Sequence, residues 1–163
     1  MNYEIVELKH LSGKETTIYS VIIDDDDCSL YDRFLIQYHE KYSYAIKDIQ
    51  TRIRTMANKT GARDIYFKGG EGVPGDGVCA LFDLPNSNLR LYCIRYGLNL
   101  IILGGGGPKN VRAWQDDKKL SSEVKKLMKI SEAITKRMME KDIYWSNDKM
   151  HLLGELNFND DEK

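Results

Sequence analysis

Hydrophobic and polar positions alternate in two distinct rhythms along this chain. Residues 3–8 and 16–23 are dense in β-branched and aromatic side chains and flank Ser12-Gly13-Lys14, which predicts two strands and a turn. Asp24-Asp25-Asp26-Asp27 then interrupts the pattern. Consecutive carboxylates point in different directions and repel one another, so an acidic loop before a helix N-terminus is expected rather than a cation site. Ser29-x-x-Asp32 resembles an imperfect capping box. From residue 30 to 56 the rhythm becomes helical, with Leu30, Phe34, Tyr38, Tyr42, Ile46, Ile49, Ile53 and Met56 forming one apolar stripe. One unbroken helix there would run about 40 Å, so a break or hairpin is expected near Tyr42-Ser43-Tyr44. The tyrosines of the stripe read as packing residues, not as a platform for bases.

Gly61 is a natural cap for this helical part, and residues 64–68 form a short extended candidate. The stretch 69–77 is too glycine-rich for regular structure and lacks the Gly-Lys-Ser/Thr ending of a phosphate-binding loop. Residues 78–84, 89–96 and 100–103 predict a three-stranded antiparallel meander, with turns at Pro85-Asn86-Ser87-Asn88 and Gly97-Leu98-Asn99. Period-two geometry puts Arg90, Tyr92, Ile94 and Tyr96 on one face of its middle strand and Leu91, Cys93 and Arg95 on the other. The third strand runs into Gly104-Gly105-Gly106-Gly107, where backbone N–H groups approaching phosphate and a flexible connector are both open readings. Residues 120–139 predict an amphipathic helix, with Leu120, Val124, Leu127, Ile134 and Met138 inward and Lys125, Lys126, Lys129 and Lys136 on a solubilising face. The tail has strand-like pieces at 143–145 and 152–158, suited to an edge hairpin or a cover on the sheet, and a frayed end from 159 to 163.

The expected fold class is therefore α+β. An antiparallel meander packs with an N-terminal helix or helical hairpin and a C-terminal helix. A chain of 163 residues supports a single domain, with a core at 28–138, an N-terminal strand extension at 1–27 and a tail at 141–163. No apolar run approaches the ~18 residues of a membrane helix, and the first residues lack the pattern of a secretion signal. Cys28, Cys79 and Cys93 contain no Cys-x-x-Cys pair, which fits thiols of a reducing, cytoplasmic compartment and disfavours a zinc site. The formal net charge of −1 hides an asymmetry. Residues 28–114 carry 12 Lys+Arg against 7 Asp+Glu, whereas residues 1–27 carry 2 against 7 and residues 115–163 carry 10 against 11. A local basic face suits nucleic acid even when the whole chain is nearly neutral; a solvated mixed surface accounts for the same counts.

The most chemically pointed text is Leu89-Arg90-Leu91-Tyr92-Cys93-Ile94-Arg95-Tyr96, then the apolar strand, the glycines, and Pro108-Lys109-Asn110-Val111-Arg112-Ala113-Trp114. Helices, a meander with an arginine near the start of its middle strand, a basic cluster and an amphipathic helix follow in an order that resembles the RelE/HigB branch of the RelE/ParE toxins. That resemblance covers about residues 28–138. It implies the toxin of a type II toxin–antitoxin pair, a ribosome-dependent mRNA endoribonuclease that needs no metal or other cofactor. It also implies a cognate antitoxin as partner, a helix-turn-helix protein in the HigB branch.

Metal-free RNA cleavage needs a base for the ribose 2′-hydroxyl, cations for the pentavalent phosphate and an acid for the leaving oxygen. By the resemblance, Arg90 is the first candidate for the phosphate, joined by Lys109 and Arg112, with Lys68 and Arg63 as basic residues before the meander. Trp114 or Tyr96 is placed to stack on a base, and Arg95 to contact RNA. The branch often has a histidine or aromatic residue where this chain has its glycines, and His10, His39 and His151 stand away from the cluster. Tyr96, Tyr92 and Lys68 remain as bases, and at ordinary pKa each is a poor one. Two other classes stay open: a non-catalytic protein of the same fold, such as a gyrase-directed toxin or an inactive relative, and a small regulatory domain with an anion pocket at the glycines.

Overall fold

In the computed structural model, which describes residues 1–68, 72, 75–81, 89–109 and 117–159, the chain forms an α+β fold. Strands β1 (Asn2–Glu7) and β2 (Thr17–Ile23) come first, as expected. The acidic run forms the loop before the first helix, with Asp26 paired to Arg33. The helical stripe is split into α1 (Leu30–Tyr38) and α2 (Ser43–Thr55). Ser29 Oγ caps α1 by accepting from the Asp32 N–H at 3.2 Å, which satisfies one of the orphan donors of the first turn. A π-helical turn, Met56–Thr60, ends at Gly61, whose φ of 77° is where glycine carries no Cβ penalty. Residues 64–68 are only partly extended: Asp64–Tyr66 is a 3-10 turn and β3 is the two-residue strand Phe67–Lys68.

Strands β4 (Val78–Leu81), β5 (Leu89–Tyr96) and β6 (Leu100–Pro108) form the antiparallel meander. The expected end of β4 at residues 82–84 lies outside the described residues. Helix α3 is Lys118–Met139, capped by the Asp117 carboxylate, which accepts from the Leu120 N–H at 3.0 Å. Strands β7 (Ile143–Trp145) and β8 (Leu152–Gly154) pair as a separate hairpin, and β9 (Asn157–Asn159) adds to the edge of the main sheet beside β1. The tail thus covers a sheet face with its hairpin and adds a single strand, not a hairpin, to the edge.

The sheet corrects the expected plan in three ways. Its order is β3-β4-β5-β6-β2-β1-β9, and β2 runs parallel to β6, so the seven-stranded sheet is mixed and not purely antiparallel. A boundary at residue 27 would therefore cut through the sheet: β2 lies inside it, with Ile18 and Val21 fully buried. Buried hydrogen bonds fix it there. Ser20 Oγ donates to the Leu103 carbonyl at 2.6 Å and accepts from the Tyr31 N–H at 3.2 Å, joining β2, β6 and α1. Second, both faces are covered. Helices α1 and α2 pack on the face of Leu91, Cys93 and Leu103, while α3 and the β7–β8 hairpin pack on the face of Tyr92, Ile94 and Ile102.

Third, the glycine tract is strand. Gly104 to Gly107 continue β6 and are buried, so neither a flexible connector nor a solvent-facing phosphate cradle describes them. Leu91 pairs with Gly106 and Cys93 with Leu103, so Tyr92 alone faces Gly104 and Gly105 in a β-bulge. The bulge turns both glycines toward α3. A Cβ on Gly104 would lie 2.8 Å from Leu127 Cδ1, and one on Gly105 would lie 2.6 Å from Glu123 Oε2. At Gly106 a Cβ would collide with the Arg90 carbonyl of the paired strand. A backbone atom cannot yield without opening the β5–β6 ladder. Gly106→Ala should therefore cost about 3 kcal/mol in urea unfolding, at the upper end of overpacking. Gly97→Ala, which meets open space at a φ of 58°, should cost only about 1–2 kcal/mol.

Candidate functional site

Strand alternation decides which cations share a face. Arg90, second in β5, pairs with Gly107 and stands on the α3 face with Tyr92 and Ile94. Lys109 follows Pro108, which pairs with Leu89, so it leaves β6 beside the start of β5. Lys68 pairs with Ala80, which pairs with Tyr92, so it takes the α3 face at the sheet edge. Two of the expected cations, Arg90 and Lys109, thus lie at the end of the sheet where β5 begins and β6 ends, and Lys68 stands two strands away on the α3 face, level with the middle of β5. Arg112 and Trp114 lie outside the described residues.

Arg95, Arg63 and Tyr96 do not join them. Arg95 is on the opposite face, where Nε donates to the Ala62 carbonyl at 2.6 Å and the guanidinium lies 5.8 Å from the Phe67 ring centre. It ties β5 to the turn after α2, and this structural use replaces the expected RNA contact. Arg63 is exposed on that same turn. Tyr96 is six residues along β5 from Arg90, about 20 Å away. Its ring meets Trp145 edge-on at 5.8 Å. Burial, and then the Asp76 carboxylate, push its ionisation far above the ordinary tyrosine range. A phenol held neutral in this way takes no proton at neutral pH, which corrects its assignment as a base.

Comparisons with protein-family models, curated proteins and solved structures find no match. The chemistry must be read from the residues themselves.

Four side chains that the sequence reading did not assign to the site stand at the glycine strand. Glu123, on the inner side of α3, is 9% exposed, and its Oε2 occupies the space above Gly105. Lys126 Nζ and Lys119 Nζ lie 3.6 and 3.8 Å from its Oε1, close enough to compensate a buried carboxylate. Tyr38, at the end of α1, brings its hydroxyl to 3.0 Å from the Cβ position of Gly107, where Lys119 Cγ is at 3.5 Å. Burial first, and then Glu123, raise the ionisation of Tyr38. One of these was legible: Glu123 is a charged residue on the apolar stripe of Leu120, Val124 and Leu127. Tyr38 carried no such signal, because it sits among apolar stripe positions where packing explains it.

The arrangement offers cations, a buried carboxylate and a neutral phenol around a strand without side chains. A hollow of about 260 Å³ lies elsewhere, between β1 and β9, where Asn2, Glu4, Asp25, Asn157 and Asn159 line it. Its carboxylates repel a phosphate, and none of the expected cations borders it.

The hydroxyl of Tyr96 is buried with no hydrogen-bond partner among the described residues. Tyr96→Phe should leave stability unchanged or raise it by about 1 kcal/mol, since an unsatisfied buried hydroxyl is removed. The folded pKa of Tyr96, Tyr31 and Tyr19 is raised by burial. Their contribution to stability is complete below the unfolded value of about 10 and is lost as pH rises past it. Urea midpoints should therefore fall above about pH 10, and less steeply in Tyr96→Phe.

Proposed function

We propose that this protein is a toxin-type endoribonuclease of the RelE/HigB kind, which binds RNA phosphate through Arg90 and Lys109 and cuts mRNA on the ribosome. The observation that carries this reading is the placement of Arg90 opposite Gly107, with Lys109 leaving the same strand two residues later. Arginine's planar fork is the side chain best matched to a phosphodiester, and Arg90 and Lys109 come to the same end of the β5–β6 pair. The order of elements adds support: helices, a meander with the arginine near the start of its middle strand, then an amphipathic helix. Lys68 is on the same face, at the sheet edge two strands from β5. A helix-turn-helix antitoxin covering this basic end fits the same reading.

A second reading keeps the fold and drops the cleavage. It is favoured by the withdrawal of Tyr96 and Arg95 into packing roles, and it makes the protein a non-catalytic relative that acts by binding another protein.

Expression in a bacterial host separates the two. The ribonuclease reading expects growth arrest, with ribosome-dependent cuts seen by primer extension on cellular mRNA. Arg90→Ala should fold normally by circular dichroism and weaken cutting by roughly 100-fold, as removal of a cationic stabiliser does. Arrest with intact transcripts would support the protein-binding reading, and full toxicity of a folded Arg90→Ala would overturn the site.

A further inference from the structure

We infer that Cys79 and Cys93 form a reversible disulfide site, oxidised by small-molecule disulfides, that locks β4 to β5. The inference needs only the sheet and stands apart from the ribonuclease reading. Strands β4 and β5 place the two cysteines directly opposite one another. Both belong to the core under α1 and α2, and their sulfurs lie 3.9 Å apart. Packing asks only for volume at these positions. A cross-strand disulfide asks for two thiols in one register, and the strands supply them.

The ladder fixes the spacing. Two residues along, the Arg95 N–H donates to the Gly77 carbonyl at 2.9 Å, so Cys79 and Cys93 form a hydrogen-bonded pair of the antiparallel ladder. The Cα atoms of such a pair are about 5.5 Å apart, inside the range of about 4.4–6.8 Å that a disulfide bridges. Their Cβ atoms stand about 5 Å apart, wider than the ~3.8 Å usual for a disulfide. The bond therefore closes against the spacing of the sheet and is readily reduced, which suits a reversible site. Each thiol now donates to the other residue's carbonyl, at 3.8 and 3.7 Å. Oxidation removes both S–H donors together, while the carbonyls keep their ladder partners, so no buried polar group is stranded.

The surroundings decide which sulfur reacts first. Cys93 is fully buried, whereas Cys79 is 4% exposed. Contact with the Cys79 sulfur, and then burial, push the Cys93 thiol well above the usual range, so Cys79 is the first nucleophile. Strand β4 is second from one edge of the sheet, and among the described residues β3 pairs only with its Ala80 and Leu81. Opening so short a strand near an edge costs far less than unfolding the molecule, and it admits the oxidant to Cys79.

The step balances as thiol–disulfide exchange. Cys79 gives its proton to solvent, and its sulfur attacks one sulfur of the oxidant, whose S–S bond breaks to release one thiolate. Cys93 then gives up its proton and attacks the Cys79 sulfur, and the mixed disulfide breaks to release the second thiolate. Two protons and two electrons leave the cysteines. The oxidant takes the electrons and becomes two thiols.

The test uses the purified full chain in glutathione buffers, from fully reduced to fully oxidised. Equilibrium is approached from the reduced chain and from chain oxidised in urea and then refolded. Free thiols are trapped by alkylation, counted by mass and placed by peptide mapping. Oxidation should remove the thiols of Cys79 and Cys93 as one cross-link that excludes Cys28, and dithiothreitol should restore them. The oxidised chain should keep its circular dichroism and unfold at a higher urea midpoint than the reduced chain, because the closed loop restricts the unfolded state. Cys28→Ser should behave as wild type, whereas Cys79→Ala should lose both the cross-link and the redox dependence of the midpoint. The wild-type map decides the matter even where Cys79→Ala folds poorly. Alkylatable Cys79 and Cys93 at the oxidised end, glutathione adducts in place of the bond, or a cross-link through Cys28 would each overturn the proposal. So would a Cys79–Cys93 bond with an equal or lower urea midpoint, since the sheet would then have to break to admit it.

Discussion

Four consecutive residues without side chains, placed inside a buried strand, set the geometry of this molecule. A β-strand of ordinary residues holds a helix about 10 Å away, because two layers of side chains stand between the backbones. At Gly104 and Gly105 one of those layers is missing, and Leu127 and Glu123 of α3 fill the space. At Gly106 the β5 backbone itself comes close, through the Arg90 carbonyl. At Gly107 the ends of α1 and α3 meet over one strand position, with Tyr38 and Lys119 side by side. A conformationally permissive sequence is held rigid here because the surrounding helices and strands leave it no alternative.

The centre of the sheet explains why that strand stays where it is. The parallel pairing of β2 with β6 joins elements more than eighty residues apart in sequence. Ser20 bonds to β6 and α1. Thr16 Oγ1 donates toward the carbonyls of Leu98 at 2.8 Å and Met56 at 3.1 Å, joining the start of β2 to the β5–β6 turn and the end of α2. Each is a buried hydroxyl with its partners in place, and such groups specify one arrangement because any other would leave them unsatisfied. With β2 locked, one end of the sheet closes under the tail, where Tyr19 Oη accepts from the Leu152 N–H at 3.1 Å.

The two arginines of β5 show how differently one strand can use the same residue type. Alternation sends Arg95 into the α2 side, where its Nε–H donates to a carbonyl and its guanidinium lies over an aromatic ring. Arg90 goes to the α3 side, opposite a glycine. The sequence alone already showed that the two could not share a face. It did not show that Tyr96, on the same face as Arg90, would be buried against Trp145 from the tail. That contact joins positions 49 residues apart, and no local pattern encodes it.

Periodicity was enough to determine both helices of the N-terminal half, the meander and α3, because each buries a stripe or a face whose spacing is written in consecutive residues. Caps at Ser29 and Gly61 were legible for the same reason: their chemistry is local. The tertiary structure alone decided that β2 lies inside the sheet, that the glycines are strand, and that Glu123 and Tyr38 come up against them. These depend on which distant elements pack together, and a glycine, unlike a leucine, carries no side chain to announce on which side its neighbour will come.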